Sequence, residues 1–297
     1  MIKLAPYIPF MIWSFVPILL SYLGQNIYNY VILSYVSIGI AISLKGEWPL
    51  KLIKKIKRLD LILLLISSIL QVGIDVSIVL TIISDSELKA ISYMMGSLWS
   101  IPFFFVSTHM FTHESFKIKE IIIVISIGLG ISLLYDLKFI YDPVMWFGLI
   151  RLISGCISAI IIKRLARIYV RNIYEIGNLK LLMGIPFAIL TVFIMPEINP
   201  LNISSFIMAL LGILSLYIGH KYWSLTIMKL SSFKISILGS ISRSIIFTYF
   251  TISSGGIFTI LNLIGLVCIL IGNIAQFDYS QLFKKRKQSI IEIEAPE

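Results

Sequence analysis

"LDLILLLISSILQVGIDVSIVLTI", residues Leu59–Ile82, is an apolar run that carries a few polar residues, among them Gln71 and Asp75. A helix of roughly 18 or more such residues crosses a hydrocarbon core of about 30 Å. Transmembrane β-strands would instead give alternating segments of about ten residues. The run therefore predicts a membrane-spanning helix.

The same pattern recurs along the whole chain of 297 residues, of which 58% are hydrophobic and 13% are charged. This composition is typical of an integral membrane protein. We predict an all-α integral membrane fold with ten transmembrane helices. They cover Pro6–Leu23, Ile27–Leu44, Leu59–Ile82, Leu88–Thr108, Ile118–Leu137, Pro143–Ile162, Ile176–Ile194, Ser204–Leu225, Phe233–Ile252 and Ile257–Gln276.

The basic residues divide unequally between the two sides that these helices define. Of the 25 Lys and Arg residues, only Lys89 and Lys138 fall in loops of one side, while Arg151 and Arg243 lie inside predicted helices. All the others are counted on the side of both termini. Because cytoplasmic loops are enriched in Lys and Arg, we predict that both termini are cytoplasmic. The basic clusters then face anionic lipid headgroups, which argues against nucleic acid as a partner.

An internal repeat divides the chain near its middle. "LTIISDSELKA" at Leu80–Ala90 aligns with "LTIMKLSSFKI" at Leu225–Ile235 at a constant offset of 145 residues. Five helices in each half would turn the second half upside down relative to the first, so we predict an inverted repeat. Residues 1–140 form its first half, 141–280 its second half and 281–297 a cytoplasmic tail.

Both halves resemble the EamA-like repeat of the drug/metabolite transporter superfamily in its ten-helix form, and the resemblance covers nearly the whole chain. The first half matches through "SDSELKAISYMMGSLWSIPFFF" with Pro102, Glu114 in "THESF", and "ISIGLGISLL". The second half matches through "LSSFKISILGSISRSIIFTYF", "SGGIF" and "LIGLVCILIGNI". Arg243 stands near the usual place of a proline in that family, and Gly255–Gly256 stand where a glutamate is usual.

The resemblance implies a central cavity lined by helices one, three, four, six, eight and nine of a bundle that alternates access. Independently, four of these predicted helices carry polar residues at spacings that share one helical face. Polar groups that face lipid are costly, so the four stripes should face the interior together, although serines also serve in helix packing. The stripes are Ser68, Gln71 and Asp75; Arg151, Ser154 and Ser158; Tyr217, His220 and Ser224; and Ser236, Ser240 and Arg243.

Three charges inside predicted spans, Asp75, Arg151 and Arg243, are the strongest indication of a site, and the two arginines lie close to the midpoints of their spans. On insertion scales, a charged residue at the centre of a membrane helix costs roughly 2.5–3.5 kcal/mol of free energy. Asp75 could pair with one arginine as a structural strut, but it cannot neutralise both. A guanidinium that faces the cavity would bind carboxylate or phosphate through paired hydrogen bonds. The predicted substrate-binding residues are Arg151, Arg243, Asp75, Gln71, Tyr93, Trp99, Tyr217, His220 and Ser240.

These features predict a secondary transporter, not an enzyme, for a small polar organic metabolite that bears a carboxylate or phosphate, including zwitterions such as amino acids. An exchanger of phosphorylated metabolites such as sugar phosphates is an alternative, suggested by Lys234 beside Arg243. A non-transporting membrane subunit or lipid-handling protein is the alternative from another class. The repeat offset aligns Asp75 with His220, and either could carry a coupled proton.

No cofactor is expected, because the sequence has no GxxxxGK[ST] loop for a nucleotide. His109 and His113 lack a third ligand, so no metal site is predicted. Lys180 is predicted to be solvated or to snorkel near a helix end. The expected location is a bacterial inner membrane, with lipids and a small-molecule substrate as partners, and a homodimer stays open.

Overall fold

The computed structural model of the chain describes residues 5–84, 89–97, 99–110, 142–193 and 202–253, with isolated positions within 118–126 and 260–268. These residues form helices, and no strand occurs among them. The predicted all-α class is therefore confirmed for this part of the chain. Six of its helices are long and apolar enough to cross a membrane, which indicates an integral membrane protein.

The described residues form eleven α-helices, three of which are preceded by short 3-10 turns, and a π-helical turn at Ile213–Ile218 lies between the ninth and tenth α-helices. The α-helices are α1 Ile8–Ser21, α2 Tyr30–Leu44, α3 Leu50–Ile53, α4 Arg58–Ile83, α5 Lys89–Ser97, α6 Ser100–Met110, α7 Pro143–Ile168, α8 Ile173–Leu190, α9 Ile203–Gly212, α10 Gly219–Lys229 and α11 Ser232–Ser253.

Most predicted spans correspond to single apolar helical segments of the structure. The six that could cross a membrane are Ile27–Leu44, Arg58–Ile83, Pro143–Ile168, Val170–Phe193, Ile203–Lys229 and Ser232–Ser253. The predicted first span matches a shorter apolar helix, Ala5–Ser21. The predicted fifth and tenth spans, Ile118–Leu137 and Ile257–Gln276, lie mostly outside the described residues.

The predicted fourth span, Leu88–Thr108, is not one helix. The structure divides it into α5 and α6, with Trp99 in the turn between them. Pro102 lies in the first turn of α6, where a proline is tolerated because its missing backbone N–H removes no bond of the helix. The predicted continuous helix is therefore wrong at this point.

The long helices expose apolar side chains and bury polar ones. On α4, Ile62, Ile66 and Ile69 are exposed, whereas Gln71 and Asp75 are buried. A protein dissolved in water shows the reverse arrangement. An apolar outer surface over a polar interior is what a lipid environment requires, since unpaired polar groups in hydrocarbon cost several kcal/mol or more.

The bundle is closely packed where α9 crosses α2. A Cβ atom built on Gly212 would lie 2.6 Å from the Cα atom of Ser34 and closer still to its side chain. A Cβ atom on Gly73, by contrast, meets no atom within 4 Å. Glycine is therefore required by contact at the first position and not at the second.

We expect Gly212→Ala to destabilise the protein by about 1–3 kcal/mol through overpacking. Gly73→Ala is the matched control within helix α4, and it should stabilise by about 0.5–1 kcal/mol because alanine is the better helix former. Thermal unfolding of the two variants in one detergent measures the difference. Equal unfolding temperatures would contradict the packing described.

Candidate functional site

A cavity lies inside the bundle between α1, α4, α7, the π-helical turn and α10. The centre of a water molecule can occupy a volume of about 90 Å³ inside it. A single water needs roughly 10–15 Å³ on this measure, so the space admits a small solute. Its polar lining is Gln71, Asp75, Ser158, Ser215 and His220, and its aromatic lining is Trp13, Tyr30, Trp99 and Trp223.

Asp75 is the acidic residue of this lining, and its carboxylate is held by neutral groups. The Tyr35 hydroxyl donates to Oδ2 at 3.0 Å, and Gln71 Nε2 donates to Oδ1 at 3.3 Å. Asp75 is buried within the long helix α4. These two bonds fix the orientation of the carboxylate without neutralising its charge. Within the described part of the chain, the partners of Asp75 are therefore Tyr35 and Gln71.

Lys180 on α8 extends the polar group behind the cavity wall. Its Nζ donates to Gln71 Oε1 and to Ser158 Oγ, both at 3.1 Å. The Ser158 hydroxyl also bonds Ser67 Oγ at 2.8 Å. Lys180 is only 2% exposed, so the prediction of a solvated lysine near a helix end is wrong. The extended stem places the ammonium inside the bundle instead.

His220 on α10 lines the cavity from the opposite wall. The side chain is 3% exposed, and neither Nδ1 nor Nε2 has a hydrogen-bond partner within the described part of the chain. Its ring packs tilted against the Trp13 indole, with centroids 5.2 Å apart. A buried polar group without a partner is rare, and one that lines a cavity is available to a ligand.

Aromatic side chains form the remaining wall and hold the π-helical turn. The indole Nε1 of Trp13 donates to the carbonyl of Ser215 at 3.0 Å, and the Tyr30 hydroxyl bonds Ser215 Oγ at 2.7 Å. Trp223 packs edge-on against Trp13 and Trp99, with centroids 5.2 and 5.9 Å apart. The π-helical turn and the tryptophans thus form one continuous surface of the cavity.

Arg151 does not line this cavity. Its Nη1 donates to the Ser77 carbonyl at 2.8 Å and to Thr81 Oγ1 at 2.7 Å. Its Nη2 donates to the carbonyl and the hydroxyl of Ser92, both at 2.8 Å. The guanidinium also lies 4.8 Å from the centroid of the Tyr93 ring. Arg151 and Tyr93 therefore join α7 to α4 and α5, away from the position predicted for an anion-binding arginine.

Tyr217 also points away from the cavity, toward the loop after α2. Its hydroxyl donates to the carboxylate of Glu47, which Lys221 Nζ contacts at 2.7 and 2.8 Å. Asn178 Nδ2 donates to the Glu47 carbonyl at 3.0 Å. Partial burial raises the pKa of the Glu47 carboxyl, but the hydrogen bonds from Lys221 and Tyr217 outweigh it, so the pKa is lowered overall. This cluster ties the loop to α8 and α10.

Two predicted site residues, Ser240 and Arg243, lie on α11, but their side chains are outside the described residues. Of the other seven, the structure brings Gln71, Asp75, Trp99 and His220 together around the cavity. Sequence analysis missed Tyr30, Ser215 and Lys180. Lys180 carried a usable signal, because it lies inside the predicted span Ile176–Ile194. No group of three metal-ligating side chains occurs in the described ranges.

Comparisons with known proteins support the fold and add no activity. No protein-family model and no curated protein matches this sequence. Among solved structures, 22 chains match. One of them is a crystal structure described only as that of a protein; it is 16% identical in sequence, with a TM-score of 0.61. The match covers 94% of this chain and 97% of the other. At this identity the likeness concerns the fold alone.

Proposed function

We propose that the chain is a secondary transporter that moves a small polar organic solute across the membrane by alternating access around this cavity. The observation that carries the proposal is a polar cavity, with Asp75 and an unpartnered His220 in its walls, inside a bundle whose outer faces are apolar. Buried ionisable groups at membrane depth are costly and mark solute or ion pathways. The solute class proposed bears a carboxylate or phosphate, zwitterions included.

The bounds of the helices support an inverted repeat, on which alternating access rests in many transporters. Arg58–Ile83 shifted by 145 residues gives 203–228, and the corresponding segment is Ile203–Lys229. Ile27–Leu44 shifted in the same way gives 172–189, inside Val170–Phe193. This correspondence is also what the resemblance to the ten-helix drug/metabolite transporters implies.

The cavity lining follows the same offset. Residues 145 positions apart line the cavity as pairs, so its two walls come from equivalent places in the two halves. The pairs are Trp13 and Ser158, Gln71 and Leu216, Asp75 and His220, and Ile78 and Trp223. A site at the interface of two repeats is the arrangement that rocking of one half against the other requires.

Asp75 and His220 are the groups we propose for proton coupling, since a carboxyl and an imidazole face one cavity from equivalent positions. We also propose that both termini are cytoplasmic and that the protein lies in a bacterial inner membrane. Uptake into proteoliposomes with and without an imposed pH gradient tests the coupling.

A cavity-filling substitution tests the function itself. Ala159→Phe places a ring in the lining of α7, whereas Ile157→Phe, two residues away, alters a side chain that is 41% exposed on the outer face. We expect Ala159→Phe to reduce counterflow of the solute about tenfold or more by steric exclusion, and Ile157→Phe to leave it unchanged. The solute is first selected by a thermal-shift screen, since binding to the folded state raises stability. Equal counterflow in both variants would contradict transport through this cavity.

A further inference from the structure

Two opposite charges, Asp75 and Lys180, are buried at the cavity without touching each other. The side-chain amide of Gln71 lies between them: its nitrogen donates to Asp75 Oδ1, and its oxygen accepts from Lys180 Nζ. The ion pair that the structure shows in its described part is a different one, between Lys221 and Glu47.

The two charges reach the cavity at different places on its wall. Asp75 lines the cavity directly, whereas Lys180 acts through Ser158, whose hydroxyl lines the cavity and accepts from the ammonium. A solute in the cavity therefore contacts the Asp75 carboxylate at one point. At another point it contacts the Ser158 hydroxyl, which accepts a hydrogen bond from the Lys180 ammonium. One glutamine side chain, Gln71, spans the distance between the Asp75 carboxylate and the Lys180 ammonium.

The charge balance of the described residues at the site decides what it can hold. Among them, Asp75 and Lys180 together carry no net charge, so a cationic or anionic solute would add an unbalanced charge to a buried space. Such a charge is expensive in a low-dielectric interior. A zwitterion adds no net charge, and each of its ends meets an opposite one. Trp13 and Trp223 can pack against an ammonium group, and the unpartnered His220 can bond its polar end.

We propose that the cavity selects zwitterions whose two charges are close together, with the ammonium against Asp75 and the anionic end toward Ser158 and Lys180. This inference rests on the proposed transporter and names its substrate class. Lys180 acts as a specificity-determining residue, because it supplies the positive charge that a solute carboxylate requires.

Two sets of matched probes test the selection on the purified full chain in detergent. The first set is glycine betaine, choline, 3,3-dimethylbutanoate and 3,3-dimethylbutanol, which share one shape and differ in charge. The second is leucine, 3-methylbutylamine and 4-methylpentanoate. Quenching of tryptophan fluorescence gives the Kd values. We expect the zwitterion of at least one set to bind about tenfold or more tightly than its cation and anion. If neither zwitterion binds more tightly than its cation and anion, the proposal is overturned. The same holds if none of the probes binds.

Two variants should move the preference in opposite directions. Lys180→Gln removes the cation and should favour the cationic probe, whereas Asp75→Asn removes the anion and should favour the anionic probe. Asp60→Asn is the matched control, since Asp60 is also buried on α4 but accepts from Tyr169 at 2.8 Å outside the cavity. The probe comparison on the unaltered chain decides the proposal even where a variant fails to fold.

Counterflow separates this inference from the function on which it rests. Zwitterion binding that depends on Asp75 and Lys180, without any counterflow, would keep the charge selection and overturn the transporter. Counterflow of a carboxylate or phosphate solute that Ala159→Phe blocks, without a preference for zwitterions, would keep the transporter and overturn the selection.

Discussion

Asp75→Asn should reduce solute transport by about tenfold to a hundredfold while the protein still folds. Asparagine keeps the shape of the side chain and can still accept the bond from the Tyr35 hydroxyl. The bond from Gln71 Nε2 is lost, because the amide nitrogen of asparagine is itself a donor. It cannot hold a solute cation by charge, and hydrogen bonds to charged groups contribute roughly 1.5–3 kcal/mol. Initial uptake rates in proteoliposomes, at equal amounts of inserted protein, measure the loss.

Asp60→Asn again provides the control for this result. It changes the same functional group on the same helix, where Tyr169 and not the cavity is the neighbour. We expect its uptake rate to match that of the unaltered protein. Asp75→Asn transport at the unaltered rate would show that the carboxylate takes no part in solute binding.

Arg151→Met should destabilise the protein by on the order of 3 kcal/mol, and it should do so without a specific effect on solute affinity. The substitution removes four hydrogen bonds that join α7 to α4 and α5. Methionine fills much of the space but donates no bond, which leaves buried acceptors with fewer partners. Thermal unfolding and size-exclusion profiles in detergent measure the loss.

Arg164→Met, an exposed arginine on the same helix, is the control for Arg151→Met. Its effect should stay within about 0.5 kcal/mol, as for most surface substitutions. An Arg151→Met protein that is as stable as Arg164→Met but no longer binds solute would refute the structural role and restore the predicted anion-binding one.

The sequence predicts the spans well because the thickness of a bilayer fixes their length. Continuous apolar runs such as Ile27–Leu44 appear in the structure with the predicted bounds. The sequence does not predict the division between α5 and α6, since the run continues through Pro102 without any charged residue. A hydropathy pattern reports how readily a segment transfers into lipid. The continuity of a helix depends instead on its backbone hydrogen bonds.

The site was predictable only in part. A stripe of polar residues shows that they share one face of a helix, but not what that face meets. Asp75 and Arg151 are both charged residues in a polar stripe of a predicted span. Asp75 lines a cavity, whereas Arg151 joins three helices by hydrogen bonds. Tyr30 gave no signal, because aromatic residues near helix ends are common in membrane proteins whether or not they line a cavity.

The π-helical turn at Ile213–Ile218 divides the helix that carries His220 into two pieces that need not rotate together. The backbone N–H of Gly219 reaches back to the carbonyl of Leu214, five residues earlier, so this turn contains more residues than an α-helical one. If this turn changed to α-helical hydrogen bonding, α10 would rotate about its own axis relative to α9. His220 and Trp223 would then move along the cavity wall. A change of hydrogen bonding in this turn would therefore alter the shape of the cavity, and the bond that the Trp13 indole donates to the Ser215 carbonyl opposes such a change.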